Sequence, residues 1–220
     1  MSTNYVANST LRENARNQLK GHWGAPILVC LIIGLFKWGL EFIFGKIDIY
    51  HFEFGLNLVP STHLFSVNIL IDVLLFAPLY LGLAICFLKF IRVRDFDLED
   101  LFKGFSNYVT SLIAQVLMTI FMALWTLLLI IPGIIAGIKY SMTFYIIADN
   151  PEISALDAID KSKKMMDGHK WDYFCLQLSF IGWAILSIIT CGIGFIWLVP
   201  YVQTSNTYFY ENIKETEFNL

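Results

Sequence analysis

Four ionisable side chains fall inside stretches that are otherwise apolar: Lys37, Glu41, Asp72 and Lys139. Charge in hydrocarbon is costly, so such residues point by default to a coupling-ion or substrate path. Lys37 and Glu41 are four apart, which puts them on one helix face and lets them pair. All four are expected in the outer part of a bilayer, near enough to helix ends to snorkel. Pairing or snorkelling is the favoured reading; a transport site is the sharper one. Gln115, Gln177, Gln203 and Asn206 add polarity to apolar stretches, either lining a cavity or bonding between helices.

Other chemistry finds little footing. His51, Glu53 and His63 lie in one polar segment, but their spacing matches no metal template, and a solvated loop is preferred. Asp167-Gly168 is similar to the opening of the motif of membrane phosphatidyl-alcohol transferases. The Ala-Arg and downstream aspartates that such chemistry needs to hold metal ions are missing. No G-x-S-x-G, H-E-x-x-H, P-loop or dinucleotide fingerprint occurs. Cys30, Cys86, Cys175 and Cys191 have no paired metal spacing and are read as unpaired. The expectation is no enzyme, no cofactor and no metal.

The elements that carry these residues are set by composition. The 220 residues are 57% hydrophobic and 15% charged, with 19 Phe and 6 Trp. A soluble domain is about 45–50% apolar and about 25% charged. Mean hydropathy is +0.63, and a net charge of −3 argues against a nucleic-acid partner. An integral membrane protein remains. Met1–Lys20 is polar, which predicts no cleavable signal peptide.

About 20 apolar residues span the hydrocarbon core as a helix. Such stretches lie near Ala25–Phe44, Asn68–Ile91, Val109–Ile131, Ile134–Ala148, Tyr173–Thr190 and Ile193–Tyr210. Pro132-Gly133 and Cys191-Gly192 predict tight turns that make helical hairpins. Basic residues mark the cytoplasmic side of a bilayer. Arg12, Arg16, Lys20, Lys89, Arg92, Arg94, Lys103, Lys161, Lys163, Lys164, Lys170 and Lys214, twelve of 15, fall on one side of a six-span topology. The other side has Lys46 in a long outer loop, Gly45–Val67. Both termini are therefore expected in the cytoplasm.

Each hairpin is preceded by a short amphipathic segment, expected at 9–20, 97–105 and 151–167. Thr10 with Glu13, Asp97 with Asp100, and Asn150 before Pro151 are the expected helix starts. Leu11, Ala15 and Leu19 form an apolar stripe beside a basic one of Arg12, Arg16 and Lys20. Lys161, Lys163 and Lys164 crowd the end of the third segment. Each segment ends in Gly followed by an aromatic residue (Gly21 and Trp23, Gly104-Phe105, Gly168 and Trp171), the headgroup-level preference of such rings. These two basic sets are the candidate contacts for anionic lipid headgroups. Gly133-x-x-x-Gly137 allows close helix packing.

Several of these residues carry a resemblance. Ile131-Pro132-Gly133-Ile134, Tyr140-Ser141-Met142, Ala148-Asp149-Asn150-Pro151, Ser154 to Ile159, and Ser162 to Trp171 resemble the family of bacterial integral membrane proteins catalogued as domain of unknown function 975, as does the opening Leu11–Trp23. More distantly, the Ser154–Ile159 helix is similar to the membrane domain of some bacterial glycerophosphodiester phosphodiesterases. The first resemblance implies a bacterial plasma-membrane location and no agreed activity.

The expected architecture is therefore a single all-α integral membrane domain over 1–220, six transmembrane helices as three hairpins, each led by a cytoplasmic interfacial helix. Its expected role is a non-enzymatic, lipid-interacting scaffold or regulator, its partner a second membrane protein or another copy in a homo-oligomer. The alternatives are a small transporter or channel, and an immunity protein against a membrane-active peptide.

Overall fold

The computed structural model of the protein describes residues 6–43 and 72–218; the expected outer loop, with His51, Glu53 and His63, lies outside the described residues. Among the described residues, ten α-helices follow in order: α1 (Asn8–Leu19), α2 (Gly24–Ile43), α3 (Ala77–Val93), α4 (Glu99–Phe102), α5 (Tyr108–Leu128), α6 (Ile130–Tyr140), α7 (Thr143–Asp149), α8 (Ala155–Met165), α9 (Lys170–Ile189) and α10 (Phe195–Phe218). One π-helical turn, Asp72–Phe76, leads into α3, and a 3-10 stretch, Lys103–Asn107, joins α4 to α5. The described residues contain no strand.

Four helical runs are long and apolar enough to cross a bilayer: Val73–Val93, Glu99–Leu128, Ile131–Asp149 and Lys170–Ile189. The α1–α2 pair, bent by 100°, makes a fifth if it is one broken span. The bend falls at Gly21, whose φ of +80 suits a residue without Cβ.

The turns differ in detail from expectation. Between α5 and α6 the chain breaks at Leu129, in extended backbone, not at Pro132-Gly133. Pro132 lies in the first turn of α6, where its missing N–H has no helical partner to lose. Gly133 serves packing instead, since a Cβ there would stand 2.4 Å from the Thr126 hydroxyl oxygen. Between α9 and α10 the chain turns at Cys191-Gly192, which have φ of 53 and 88, and Gly192 N donates to the Ser187 carbonyl at 2.9 Å.

Helix starts depart further. α1 begins at Asn8 with no side-chain cap, so Thr10 lies inside it. Asp97 accepts from Glu99 N at 3.1 Å, while Asp100 turns away to Lys89 and Lys103. Asn150 bonds back to the Ile146 carbonyl at 3.3 Å and closes α7. The cap of α8 is Ser154, whose Oγ accepts from Asp157 N at 3.2 Å and donates to the Asp157 carboxylate at 2.6 Å, close to the reciprocal pattern of a capping box.

The main core gathers residues of α1, α3 and α5 to α10, among them Leu11, Leu88, Ile146, Ile159, Phe180 and Phe209. A smaller cluster joins Val29 and Ile33 of α2 to Phe76, Leu79 and Cys86. The amphipathic segments turn their apolar faces onto the protein: Leu11, Ala15 and Leu19 on α1, Ala158, Ile159 and Met165 on α8. The 99–107 segment lies against α3 so closely that neither Gly82 nor Gly104 has room for a Cβ. α1 and α8 both pack against α10.

Candidate functional site

Of the four charges expected in the membrane, Lys37 and Lys139 have described side chains. Lys37 Nζ lies 5.4 Å from the Phe76 ring centroid, one turn from where Asp72 starts its helix. The side chains of Glu41 and Asp72 lie outside the described residues. Lys139 sits in the last turn of α6, and its carbonyl accepts from Ser162 of α8 at 2.8 Å. Lys170 holds the Asp167 carboxyl below its usual range through a hydrogen bond, and Lys139 adds to this through charge.

The basic residues read as headgroup contacts divide into two kinds. Arg16, Lys20 and Lys164 are exposed; Arg12 and Lys161 are half-buried. Arg12 uses its carbonyl to accept from Tyr201 Oη at 3.3 Å. Lys163 pairs with Asp160 at 2.8 Å and lies over the rings of Phe121 and Tyr140 at 5.5 and 5.8 Å. α1 is fastened along its length. Val6 N donates to Asn212 Oδ1 at 3.4 Å and Asn8 Nδ2 to the Asp172 carbonyl at 2.8 Å. Gln18 Nε2 donates to the Phe90 carbonyl, and its Oε1 accepts from Tyr208 Oη at 3.1 Å.

Two ionic clusters went unseen in the sequence. In the first, the Arg92 guanidinium takes both oxygens of Asp149, at 2.8 and 2.9 Å, and its Nε donates to Glu211 at 2.9 Å. Tyr210 Oη donates to Asp149 at 2.9 Å and Lys214 pairs with it too. This joins the ends of α3 and α7 to α10, with the Asp149 side chain only 7% exposed. In the second, buried Asp100 pairs with Lys89 at 2.8 Å and with Lys103, while Lys89 also reaches Asp95 at 2.7 Å. Each carries balanced charge, the condition under which buried ions are tolerated.

The polar residues of the apolar helices mostly satisfy one another. Gln177 Nε2 donates to Asn206 Oδ1 at 2.7 Å, both buried. Thr204, Ser205 and Thr207 bond back to the carbonyls of Pro200, Tyr201 and Gln203 at 2.7–2.8 Å. Among the described residues, no group of three or more His, Cys, Asp or Glu is placed to hold a metal ion.

Fold and site together define an all-helical protein with four or five helices able to cross a membrane, joined by amphipathic segments that pack against them. The chain belongs to the family described as protein of unknown function (DUF975), whose model matches residues 1–135 and 126–217. No curated protein and no solved structure matches it, so the likeness to phosphodiesterase membrane domains gains no support.

Proposed function

We propose that the protein is a non-enzymatic scaffold or regulator in the bacterial plasma membrane that binds anionic lipid headgroups. Its six apolar segments insert as three hairpins from the cytoplasmic side, with both termini in the cytoplasm. The observation that carries this reading is the placement of α1. It leaves α2 at 100°, the angle of a surface helix before a span, and it keeps Arg16 and Lys20 exposed while its apolar stripe is covered. The polar residues of α10, which bond within the protein, favour this role over a transport path.

Each Lys or Arg near an anionic surface contributes about 1 kcal/mol. Replacing Arg16 and Lys20 by Gln should therefore weaken binding of phosphatidylglycerol about 30-fold, read as lipid retained in native mass spectrometry. Equal retention of phosphatidylglycerol and phosphatidylcholine by the parent protein would overturn the reading. Solute flux in proteoliposomes would point to transport instead.

A further inference from the structure

We propose that the α5–α6 hairpin is re-entrant: it enters the bilayer from the α8 side, turns near the midplane at Leu129, and returns without reaching the far surface. The inference rests on α8 facing the cytoplasm, as proposed above.

A cluster of rings and charges marks one level in the structure. Phe121 of α5 and Tyr140 of α6 face each other with ring centroids 6.0 Å apart. Lys163 of α8 lies over both rings, and Ser162 bonds the Lys139 carbonyl beside them. The partner of Lys163, Asp160, has a side chain 63% exposed, and Asp167, just beyond α8, is 78% exposed. Ionised groups that open to the outside belong in water or among headgroups. The hydrocarbon therefore begins above this level.

Above it, little hairpin remains. From Tyr140 back to Ile130 is ten residues, about 15 Å at 1.5 Å per residue. The hydrocarbon core is about 30 Å thick, and any tilt shortens the depth reached. α9 starts three residues after Asp167 and runs for 20 residues, about 30 Å, enough to cross. Two hairpins thus leave one level with unequal reach.

The tip is made for lipid. Residues 127–138 include no polar side chain, and Leu127, Leu128, Leu129 and Ile131 are 64–86% exposed. Backbone groups in hydrocarbon need partners within the protein. At the turn, Leu129 N donates to the Trp125 carbonyl at 3.1 Å and Gly133 N to the Leu129 carbonyl at 3.3 Å. The Thr126 hydroxyl bonds the Met122 carbonyl at 2.7 Å, and Pro132 has no N–H to leave unpaired.

The test uses two thiols at exposed hairpin tips, neither in the core. Native Cys191 reports the third hairpin; Leu129→Cys in a Cys191→Ser parent reports the second, and the parent alone gives the background of the other cysteines. A membrane-impermeant maleimide is applied to right-side-out and to inside-out vesicles. Nitroxides on the same thiols then give depth from oxygen and nickel-chelate accessibility. The expected result for Leu129→Cys is labelling at background from both faces, rising at least tenfold once the protein is denatured in detergent, with its nitroxide near the bilayer centre. Labelling of Leu129→Cys from the outer face, or from the inner face, overturns the proposal. Labelling of Cys191 from inside only would instead overturn the orientation, while the nitroxide depth at residue 129 still decides re-entry.

Discussion

Replacing Gly82 by Ala tests how firmly the 99–107 segment is seated on α3. An added Cβ would stand 2.0 Å from the Leu101 carbonyl oxygen and 2.8 Å from its carbon. Contacts to a Cβ essentially never fall below 3.0 Å, so the segment and α3 must part by at least 1 Å. The obstacle is backbone, so no side-chain rotation relieves it. Separation on that scale strains the Lys89–Asp100 pair, now at 2.8 Å. Overpacking of this kind costs about 1–3 kcal/mol, and helix propensity returns up to about 1 kcal/mol because Ala suits a helix better than Gly. A net loss of about 1 kcal/mol lowers Tm by about 2–4 °C in a chain of this size. Tryptophan-fluorescence melting of detergent-solubilised protein measures it. Gly34→Ala is the control, since nothing lies within 4 Å of its Cβ position; it should melt at or above the parent. If Gly82→Ala melts within about 1 °C of the parent, against the shift expected from overpacking, the close approach of the two segments is refuted.

Other substitutions probe separate joints. Ser154→Ala removes the α8 cap and should cost about 1 kcal/mol, seen as a fall in Tm of about 2–4 °C. Asp149→Ala leaves the Arg92 guanidinium and Lys214 without their shared carboxylate. A loss of about 2–3 kcal/mol is expected, below the figure for a fully buried pair because Arg92 is 38% exposed; protease cleavage near the α10 end should rise with it. Gln177→Leu strands the buried Asn206 amide and should cost about 1–3 kcal/mol in the same melting assay, whereas Gln177→Glu, which keeps an acceptor but loses the donor, should not restore it.

Features set by local composition are legible in the sequence, and features set by distant contacts are not. The apolar stretches near Ala25–Phe44 and Tyr173–Thr190 coincide closely with α2 and α9 because hydrophobicity over about 20 residues fixes a helix in lipid. The Leu11, Ala15 and Leu19 stripe is equally plain, but its cover is α10 and not lipid, which periodicity cannot distinguish. Helix starts are misread where several candidates compete: Asn150 could cap a helix opening at Pro151, yet α8 opens only at Ala155, where Ser154 Oγ accepts from Asp157 N. The Arg92–Asp149–Glu211 cluster unites residues 57 and 119 positions apart, a relation no local pattern carries. The expected depth of Lys139 follows from counting along an apolar stretch, and such a count carries no information on the bond between its carbonyl and Ser162 of α8.

The fastening of α1 onto α10 has a bearing on biogenesis. α1 is the first of the described helices to leave the ribosome and α10 is the last, yet Val6 bonds Asn212 and Leu11, Ala15 and Leu19 are sealed largely by the late helix. Throughout translation the nascent chain carries an uncovered apolar stripe, which must shelter on the membrane surface or under a chaperone until synthesis ends. A ribosome stalled before residue 195 would release a chain whose opening helix has lost its main seat, an exposed tag by which quality control can sort unfinished copies from finished ones.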